Sequence, residues 1–313
     1  MDVLDSGSVP EELLKYNQLD TLLVRLPQRL THPALSNLRH LTVHIDQQQH
    51  TFETLPSLLK LSSLQIHIGG RPARQHLDLI NLSRYPTLRS LCVDGDAWTG
   101  FGGMFHGQSQ SIKTCVLRGP LVVTNQLNNF FSRISDSLNY LYCYGVHLVG
   151  SVEVALPHLE LLSLHKVLSS NRLSPFLRCP VLNTIAIEAD DMMMRERHDN
   201  LNSLLQLVVL HWASTLETLI LRSGLSWRLS PIAIHALQRS RLLRYLLLDG
   251  SIMVDGRDWL LMSYPGTLEV VAKVDSWILT NNVSDQQYSF SMLNGYRTTT
   301  NCLSINTSQA WGR

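Results

Sequence analysis

The residues whose types and spacing could do chemistry are a histidine pair and a set of alternating tyrosines. His40 and His44 lie four residues apart in a stretch with strand periodicity, H-L-T-V-H. On a strand, that step separates the two side chains by about 13 Å, which excludes a metal ion shared between them. A strand would point Tyr140, Tyr142 and Tyr144 to one face, because they alternate with other residues. Tyrosine combines a large apolar area with a polar end, so this spacing favours recognition of another protein.

The glycine-rich and cysteine-containing segments lack the spacing of catalytic or metal-binding motifs. Residues 100–107 read G-F-G-G-M-F-H-G, which is not the G-x-G-x-x-G order, and the chain has no H-E-x-x-H, G-x-S-x-G or P-loop motif. Its five cysteines form no C-x-x-C pair, so we expect reduced core thiols and neither a disulfide framework nor a zinc site. They are Cys92, Cys115, Cys143, Cys179 and Cys302. We therefore expect no enzymatic activity, no metal and no cofactor.

Charge and hydropathy exclude two further classes of partner. The net charge is +1, from 26 basic and 25 acidic side chains, and no cluster of Lys and Arg suits a phosphate backbone, so nucleic acid is not expected. The longest apolar runs, between Leu204 and Ala213, are far shorter than the roughly 20 residues that cross a bilayer. The acidic start, M-D-V-L-D-S-G-S, lacks the layout of a signal peptide. We expect no membrane partner and a cytoplasmic or nuclear location.

The elements that position these residues follow from one recurring pattern, which is clearest in Pro33 to Ile45. Leu35, Leu38 and Leu41 are three residues apart, and Val43 and Ile45 then continue at steps of two. The apolar period therefore changes from helix or loop spacing to strand spacing within one short segment.

The same change of period recurs at ten anchor positions along the chain. The anchors are Leu22, Leu41, Leu64, Leu91, Cys115, Leu141, Leu162, Ile185, Leu219 and Leu246. Their average spacing of about 25 residues is that of leucine-rich repeats. We expect an α/β leucine-rich repeat solenoid, a horseshoe with a concave parallel sheet and a helical or irregular convex side. Residues 1–274 would form this domain of about ten repeats, and residues 275–313 a C-terminal cap or a partly disordered tail.

Apolar stripes at helical spacing predict helices on the convex side. A serine before a proline, Ser230-Pro231, also has the chemistry of a helix start. The stripes are Leu127, Phe130, Phe131, Ile134 and Leu138; Leu201, Leu204, Leu205, Val208 and Trp212; and Ile234 with Leu237.

The repeat alignment assigns each strand residue to the core or to the solvent. In a strand x-L-x-L-x, the x side chains point outward, and on stacked strands they line up in columns about 4.8 Å apart. Tyr140, Tyr142 and Tyr144 then lie on the concave face between Arg118 and His165, as a candidate protein-binding site. Tyrosine is also common in strands for structural reasons, so the alternative is a solvated strand without a partner.

A loop with Trp98, Phe101 and Phe105 is a secondary candidate for partner contact. It follows the Leu91 strand, so we expect it at an edge of the same concave region. The alternative for these aromatic side chains is that they fold back to cover the rim of the core.

Segments such as S-P-F-L-R-C-P-V-L-N-T-I-A-I and W-A-S-T-L-E-T-L-I-L resemble the repeat half of fungal F-box/leucine-rich repeat proteins. The resemblance spans roughly residues 13 to 274. It implies a scaffold that presents a protein substrate to a ubiquitin ligase. The F-box itself is not seen, because V-P-E-E-L-L echoes its opening but Tyr16 to Val24 already reads as a repeat. Recruitment of the ligase adaptor, and a truncated start of the chain, therefore stay open.

A second class of function is a regulatory leucine-rich repeat scaffold of ribonuclease-inhibitor or GTPase-activating type, without a ubiquitin link. Such scaffolds usually have more regular repeats and a charged tail, which this chain lacks. We expect a protein partner on the concave face in either case.

Overall fold

The chain forms two compact units, Met1–Leu159 and Glu160–Arg313. A computed structural model describes residues 3–4, 20–26, 36–45, 58–68, 80–95, 105–119, 121–145, 147–149, 154–167, 178–189, 200–254, 269–272, 290–293 and 296–300. Both units are α/β: each has a mainly parallel sheet that does not close on itself, and few helices accompany the described strands. This division is finer than the single domain expected for residues 1–274.

The first unit is built on a parallel sheet with small additions beside it. Its strands are β1 (Val3–Leu4), β2 (Thr21–Leu26), β3 (His40–Ile45), β4 (Ser63–Ile68), β5 (Ile80–Asn81), β6 (Ser90–Gly95), β7 (Phe105–His106), β8 (Thr114–Arg118), β9 (Leu121–Val123), β10 (Tyr140–Tyr144) and β11 (His147–Val149). The main sheet has the order β1-β2-β3-β4-β6-β8-β10, and β5 with β7 and β9 with β11 form separate parallel pairs. Helix α1 (Thr124–Ile134) and a 3-10 helix (Leu82–Arg84) lie between strands.

The second unit repeats this plan and ends in an antiparallel edge. Its strands are β12 (Leu161–Val167), β13 (Thr184–Ala189), β14 (Thr218–Leu229), β15 (Tyr245–Val254), β16 (Glu269–Ala272), β17 (Phe290–Leu293) and β18 (Tyr296–Thr300), and its helices are α2 (Asn200–Trp212) and α3 (Pro231–Leu237). Strands β12 to β16 pair in parallel, β18 pairs antiparallel with β16, and β17 pairs antiparallel with β18. Two strands thus fall within residues 275–313, where a cap or a loose tail was expected.

The strand register within each unit is the one that the anchor alignment predicts. Successive anchors face each other directly in the first unit, in the pairs Leu22 with Leu41, Leu41 with Leu64, Leu64 with Leu91, Leu91 with Cys115, and Cys115 with Leu141. In the second unit, the pairs are Leu162 with Ile185, Ile185 with Leu219, and Leu219 with Leu246. The predicted pairing of the anchors is therefore confirmed within each unit, and in the second unit the register shifts only beyond the anchors, between His165 and Val167 and between Ser223 and Trp227.

The core lies under the inward side chains of the sheets and the apolar faces of the helices. In β4, β6, β8 and β10, every second residue is buried. The predicted stripe of α1 is buried throughout at Leu127, Phe130, Phe131 and Ile134. In α2, the Trp212 indole is buried and donates a hydrogen bond from Nε1 to the Cys179 carbonyl at 3.0 Å.

The same backbone hydrogen bonds open successive strands. The residue before the strand and its first residue both donate to one carbonyl of the preceding coil, as Arg39 and His40 donate to the carbonyl of Asp20 at 3.1 and 2.9 Å. The equivalent pairs are Ser62 and Ser63 to Arg39, Arg89 and Ser90 to Ser62, Lys113 and Thr114 to Arg89, Asn139 and Tyr140 to Lys113, Asn183 and Thr184 to Glu160, Glu217 and Thr218 to Asn183, and Arg244 and Tyr245 to Glu217.

Three hydroxyl groups add a second recurring link between neighbouring coils. Each lies four residues before its anchor and donates to a carbonyl three residues before the preceding anchor. They are Thr87 to Leu61 at 3.0 Å, Ser137 to Ile112 at 2.9 Å and Thr215 to Leu182 at 2.8 Å. Each of these bonds connects the approach to one strand, β6, β10 or β14, with the coil before the preceding strand.

Candidate protein-binding face

Strand β10 presents three tyrosines on one side of the first unit's sheet. Leu141 and Cys143 are buried, whereas Tyr142 and Tyr144 are half-buried and Tyr140 is 37% exposed. The three rings therefore share the solvent side, as the alternation predicts. We call the side chains at the first, third and fifth positions of β3, β4, β6, β8 and β10 the outward face of the first unit.

Arg118 and the tyrosines form one electrostatic group on this face. Arg118 lies directly opposite Tyr144 in the register, and its guanidinium carbon is 5.2 Å from the centre of the Tyr144 ring. This cation–π contact favours a fixed orientation of the arginine over the ring. Burial raises the pKa of the Tyr142 phenol, and the neighbouring Tyr144 and Tyr140 raise it further. The Tyr142 phenol therefore remains a neutral donor and acceptor around neutral pH.

The fifth-position side chains of the first unit continue from Tyr144 in a line across the sheet. The His44 and His67 rings are stacked, with centroids 4.5 Å apart and planes inclined by 20°. His67 Nδ1 is 3.3 Å from Asp94 Oδ2, and Asp94 is the register neighbour of Arg118. The line therefore runs from two stacked imidazole rings through a carboxylate and a guanidinium to the Tyr144 ring, and neighbouring members form cross-strand pairs.

His165 belongs to the second unit, where it bridges two strands. Its Nδ1 lies 2.7 Å from Glu188 Oε2 on β13, and its Nε2 lies 3.1 Å from the Ser163 hydroxyl on its own strand. Glu188 in turn is the register neighbour of Arg222 on β14. Charges of opposite sign therefore follow one another on the outward face of the second unit. The predicted grouping of His165 with the tyrosines stays a prediction.

The same hydrogen-bond order occurs around His67 in the first unit. The side-chain amide of Gln65, two residues earlier on the strand, lies 2.8 Å from His67 Nε2, and Asp94 lies beside Nδ1. Serine, histidine and a carboxylate in this order could relay a proton and activate a hydroxyl nucleophile. Gln65 carries no nucleophilic hydroxyl, and Ser163 is buried. We therefore interpret both arrangements as a means of orienting an imidazole on the sheet.

The secondary contact loop is only partly described, and Phe105 is not available for partner contact. Its side chain is 1% exposed and lies against the Phe130 ring of α1, with ring centroids 5.0 Å apart. The prediction of a contact role for Phe105 is therefore wrong, because an aromatic side chain gains more by packing under the helix. Trp98 and Phe101 lie outside the described residues.

Cys92 is the exception to the expected burial of the described thiols. It is half-buried at the third position of β6, whereas Cys115, Cys143 and Cys179 are buried, and Cys302 lies outside the described residues. Burial raises the pKa of the Cys92 thiol, the Arg118 charge lowers it and the Asp94 charge raises it. Burial also raises the pKa of Cys143 to about 12. These thiols are therefore protonated and weakly reactive at neutral pH.

Asp94 and His67 in the first unit, and Glu188 in the second, are outward residues to which the sequence pattern assigned no binding role. The sequence could have identified them, because a histidine and a carboxylate occupy the fifth positions of two successive strands in each unit. Among the described residues, no group of three or more His, Cys, Asp and Glu side chains could hold a metal ion. Within the same stretches, every helix is too short or too polar to span a membrane.

The fold and this face define an α/β protein with open, mainly parallel sheets and a polar and aromatic outward surface. In comparisons with known proteins, the chain matches no family model and shows no significant similarity to a curated protein. The geometry of the face itself is therefore the basis on which its function can be inferred.

Proposed function

We propose that this protein is a non-catalytic scaffold that binds a protein partner on the outward face of its first unit. The observation that carries the proposal is the row of Tyr140, Tyr142 and Tyr144 beside Arg118. Tyrosine and arginine are among the residues most enriched at binding hot spots, and rings fixed by a rigid strand lose little conformational entropy on binding.

We further propose that the two sheets are parts of a leucine-rich repeat solenoid. The matched pairing of the anchors and the recurring hydrogen bonds at the strand starts support it, since both recur at β3, β4, β6, β8 and β10 in the first unit and at β13, β14 and β15 in the second. Repeat arrays of this kind bind partners on an extended surface built from one short strand of each repeat.

The finer proposal is that the scaffold presents a protein substrate to a ubiquitin ligase. It draws on the resemblance of the repeat segments to fungal F-box/leucine-rich repeat proteins. Such a role would place the protein in the cytoplasm or the nucleus. Contact with the ligase adaptor is a separate proposal, because it needs a surface other than the tyrosine row.

The test is affinity purification of the tagged full chain from its source cells, with quantitative mass spectrometry of the recovered proteins. Replacing Tyr140, Tyr142 and Tyr144 with Ala should reduce recovery of the direct partner by about tenfold or more. Tyr245→Ala, which removes a tyrosine from β15 in the second unit, is the matched control.

The outcomes separate the proposals. Recovery of a ligase adaptor and a cullin supports the ubiquitin link, and recovery of a small GTPase instead supports a regulatory scaffold. If the triple variant retains every partner while its melting temperature stays the same, the tyrosine row is not the binding site.

A further inference from the structure

Helices α2 and α3 of the second unit enclose a groove on their solvent side. Its volume is ≈ 480 Å³. Gln206, Leu207 and Leu210 line it from α2 at positions i, i+1 and i+4. Because residues three and four apart share one helix face, the groove follows the axis of α2 for more than one turn.

The second wall has the same periodicity. Ile232 and Ala236 line the groove from α3, and Arg239 from the turn that follows it. These residues are separated by four and three positions, so α3 also presents one continuous face. The two walls together form a channel between two helix faces.

Hydrogen bonds at the start of α3 connect the two helices that form the channel. The backbone N–H of Ser230 donates to Asn202 Oδ1 of α2 at 2.9 Å, and the Ser230 hydroxyl accepts from the Ala233 N–H at 3.2 Å as the cap of α3. On their inner sides, the two helices bury Ile234 of α3 and Val208 of α2. The groove is therefore preformed, which lowers the entropy lost when a ligand binds.

The exposed apolar area in the groove is unusual for an outer helix of this protein. Leu210 is 73% exposed and Ile232 is 69% exposed. The outer side of α1 in the first unit instead carries polar residues such as Asn129 and Ser132, which are exposed. A contiguous apolar patch with a polar rim is typical of an interaction surface.

The charge at the rim of the groove indicates the kind of partner that the groove can bind. His235 and Arg239 line the groove, and among its described lining residues there is no carboxylate. A second copy of the chain on a two-fold axis would bring the same basic rim against itself, which opposes self-association. We propose that this groove binds an amphipathic helix of a partner protein, with its apolar side chains on Leu210 and Ile232 and acidic residues against Arg239.

This inference is independent of the tyrosine row, which lies in the first unit, and it adds a second binding site of different chemistry. Helix-in-groove recognition reads apolar side chains at i, i+3, i+4 and i+7, which matches the length of the two walls. The neutral polar side chain of Gln206 at the rim can hydrogen bond without adding a charge that would repel an acidic helix.

The experiment uses the full chain as bait for a phage-displayed library of helical peptides, randomised on their outer positions. The enriched peptides are synthesised, labelled with fluorescein and titrated by fluorescence anisotropy. They should be net acidic with apolar residues at helical spacing. The double variant Leu210→Ser, Ile232→Ser should weaken their binding by about tenfold or more, because exposed hot-spot contacts are removed.

Two variants make the test specific. Leu59→Ser, which removes a leucine that is 63% exposed in the first unit, should leave the affinity unchanged. Arg239→Glu should weaken the acidic peptides and strengthen their Glu→Lys versions. Circular dichroism melting of each variant checks that the fold is intact.

Several results would overturn the inference: no enrichment, enrichment of neutral or basic peptides, or equal affinity for the double variant. A dimer in sedimentation velocity that the double variant abolishes would assign the groove to a second copy and would also overturn it.

Discussion

The outward faces of the two units each hold a histidine beside a carboxylate, at different distances. His67 Nδ1 is 3.3 Å from Asp94 Oδ2, and His165 Nδ1 is 2.7 Å from Glu188 Oε2. In both cases, a polar side chain two residues earlier on the strand faces the other ring nitrogen. Because the same pair occurs in two separate units, we interpret it as a cross-strand contact that orients the histidine on each sheet.

The two faces differ in what continues the line from the histidine. In the first unit, His67 stacks on His44 and the line ends at Tyr144 under Arg118. In the second unit, Glu188 is followed by Arg222 at the fifth position of the next strand. The line there continues with a charge of opposite sign and not with an aromatic ring. The histidine–carboxylate pair is common to both faces and therefore does not distinguish them. The three tyrosines of β10 are the feature that distinguishes the face of the first unit.

The largest effect should come from removing an anchor, and it should be similar in both units. Leu64→Ala and Leu162→Ala each delete a fully buried side chain and should lower the free energy of unfolding by about 2 to 5 kcal/mol. Chemical denaturation measures the change, with the exposed Leu59→Ala as control. A loss well below that range in one unit only would mean that the two cores are not built alike.

A smaller effect should come from the histidine–carboxylate pairs, and it should differ between the units. Glu188→Gln keeps the shape of the side chain and should cost about 1 kcal/mol or less of unfolding free energy, because the pair is partly exposed. Asp94→Asn should cost less, since its contact is longer. Equal losses in chemical denaturation would contradict the difference in geometry.

The smallest effect is a change in the reactivity of Cys92, which reports on the first unit alone. Its raised pKa predicts slow alkylation by iodoacetamide at pH 8, because little thiolate is present. Asp94→Asn removes a charge that raises this pKa and should speed the reaction. Arg118→Gln removes a charge that lowers the pKa and should slow it.

Peptide mapping by mass spectrometry measures the alkylation rate at Cys92 and distinguishes it from the buried Cys115 and Cys143. If both substitutions shift the rate in the same direction, access to the thiol decides its reactivity and the neighbouring charges do not.

Periodicity was enough to predict the ten anchor strands and their pairing within each unit, but it did not predict β1, the small pairs β5 with β7 and β9 with β11, or β17 and β18. Each anchor is apolar, and a slip by one residue would turn every buried side chain of a strand to solvent, so only one pairing is stable. The alternation of Leu141 and Cys143 with the tyrosines likewise follows from local sequence alone.

Periodicity could not predict contacts between segments that are distant in the sequence. Phe105 looks like a loop residue in the sequence, and its burial depends on Phe130, which is far along the chain. The hydrogen bond between His165 Nδ1 and Glu188 Oε2 joins two strands. It can be predicted only when residues at the same position of neighbouring strands are compared. The groove between α2 and α3 depends on the angle at which two helices pack, which no single stripe encodes.

The paired N–H bonds at the strand starts have a consequence for how such a surface can change. Each pair joins a strand only to the coil before it, as Asn139 and Tyr140 do with Lys113. Because backbone groups provide these links, the links themselves do not depend on which side chains face outward. Residues on the outward face can therefore be substituted one strand at a time while the spacing between the strands is preserved.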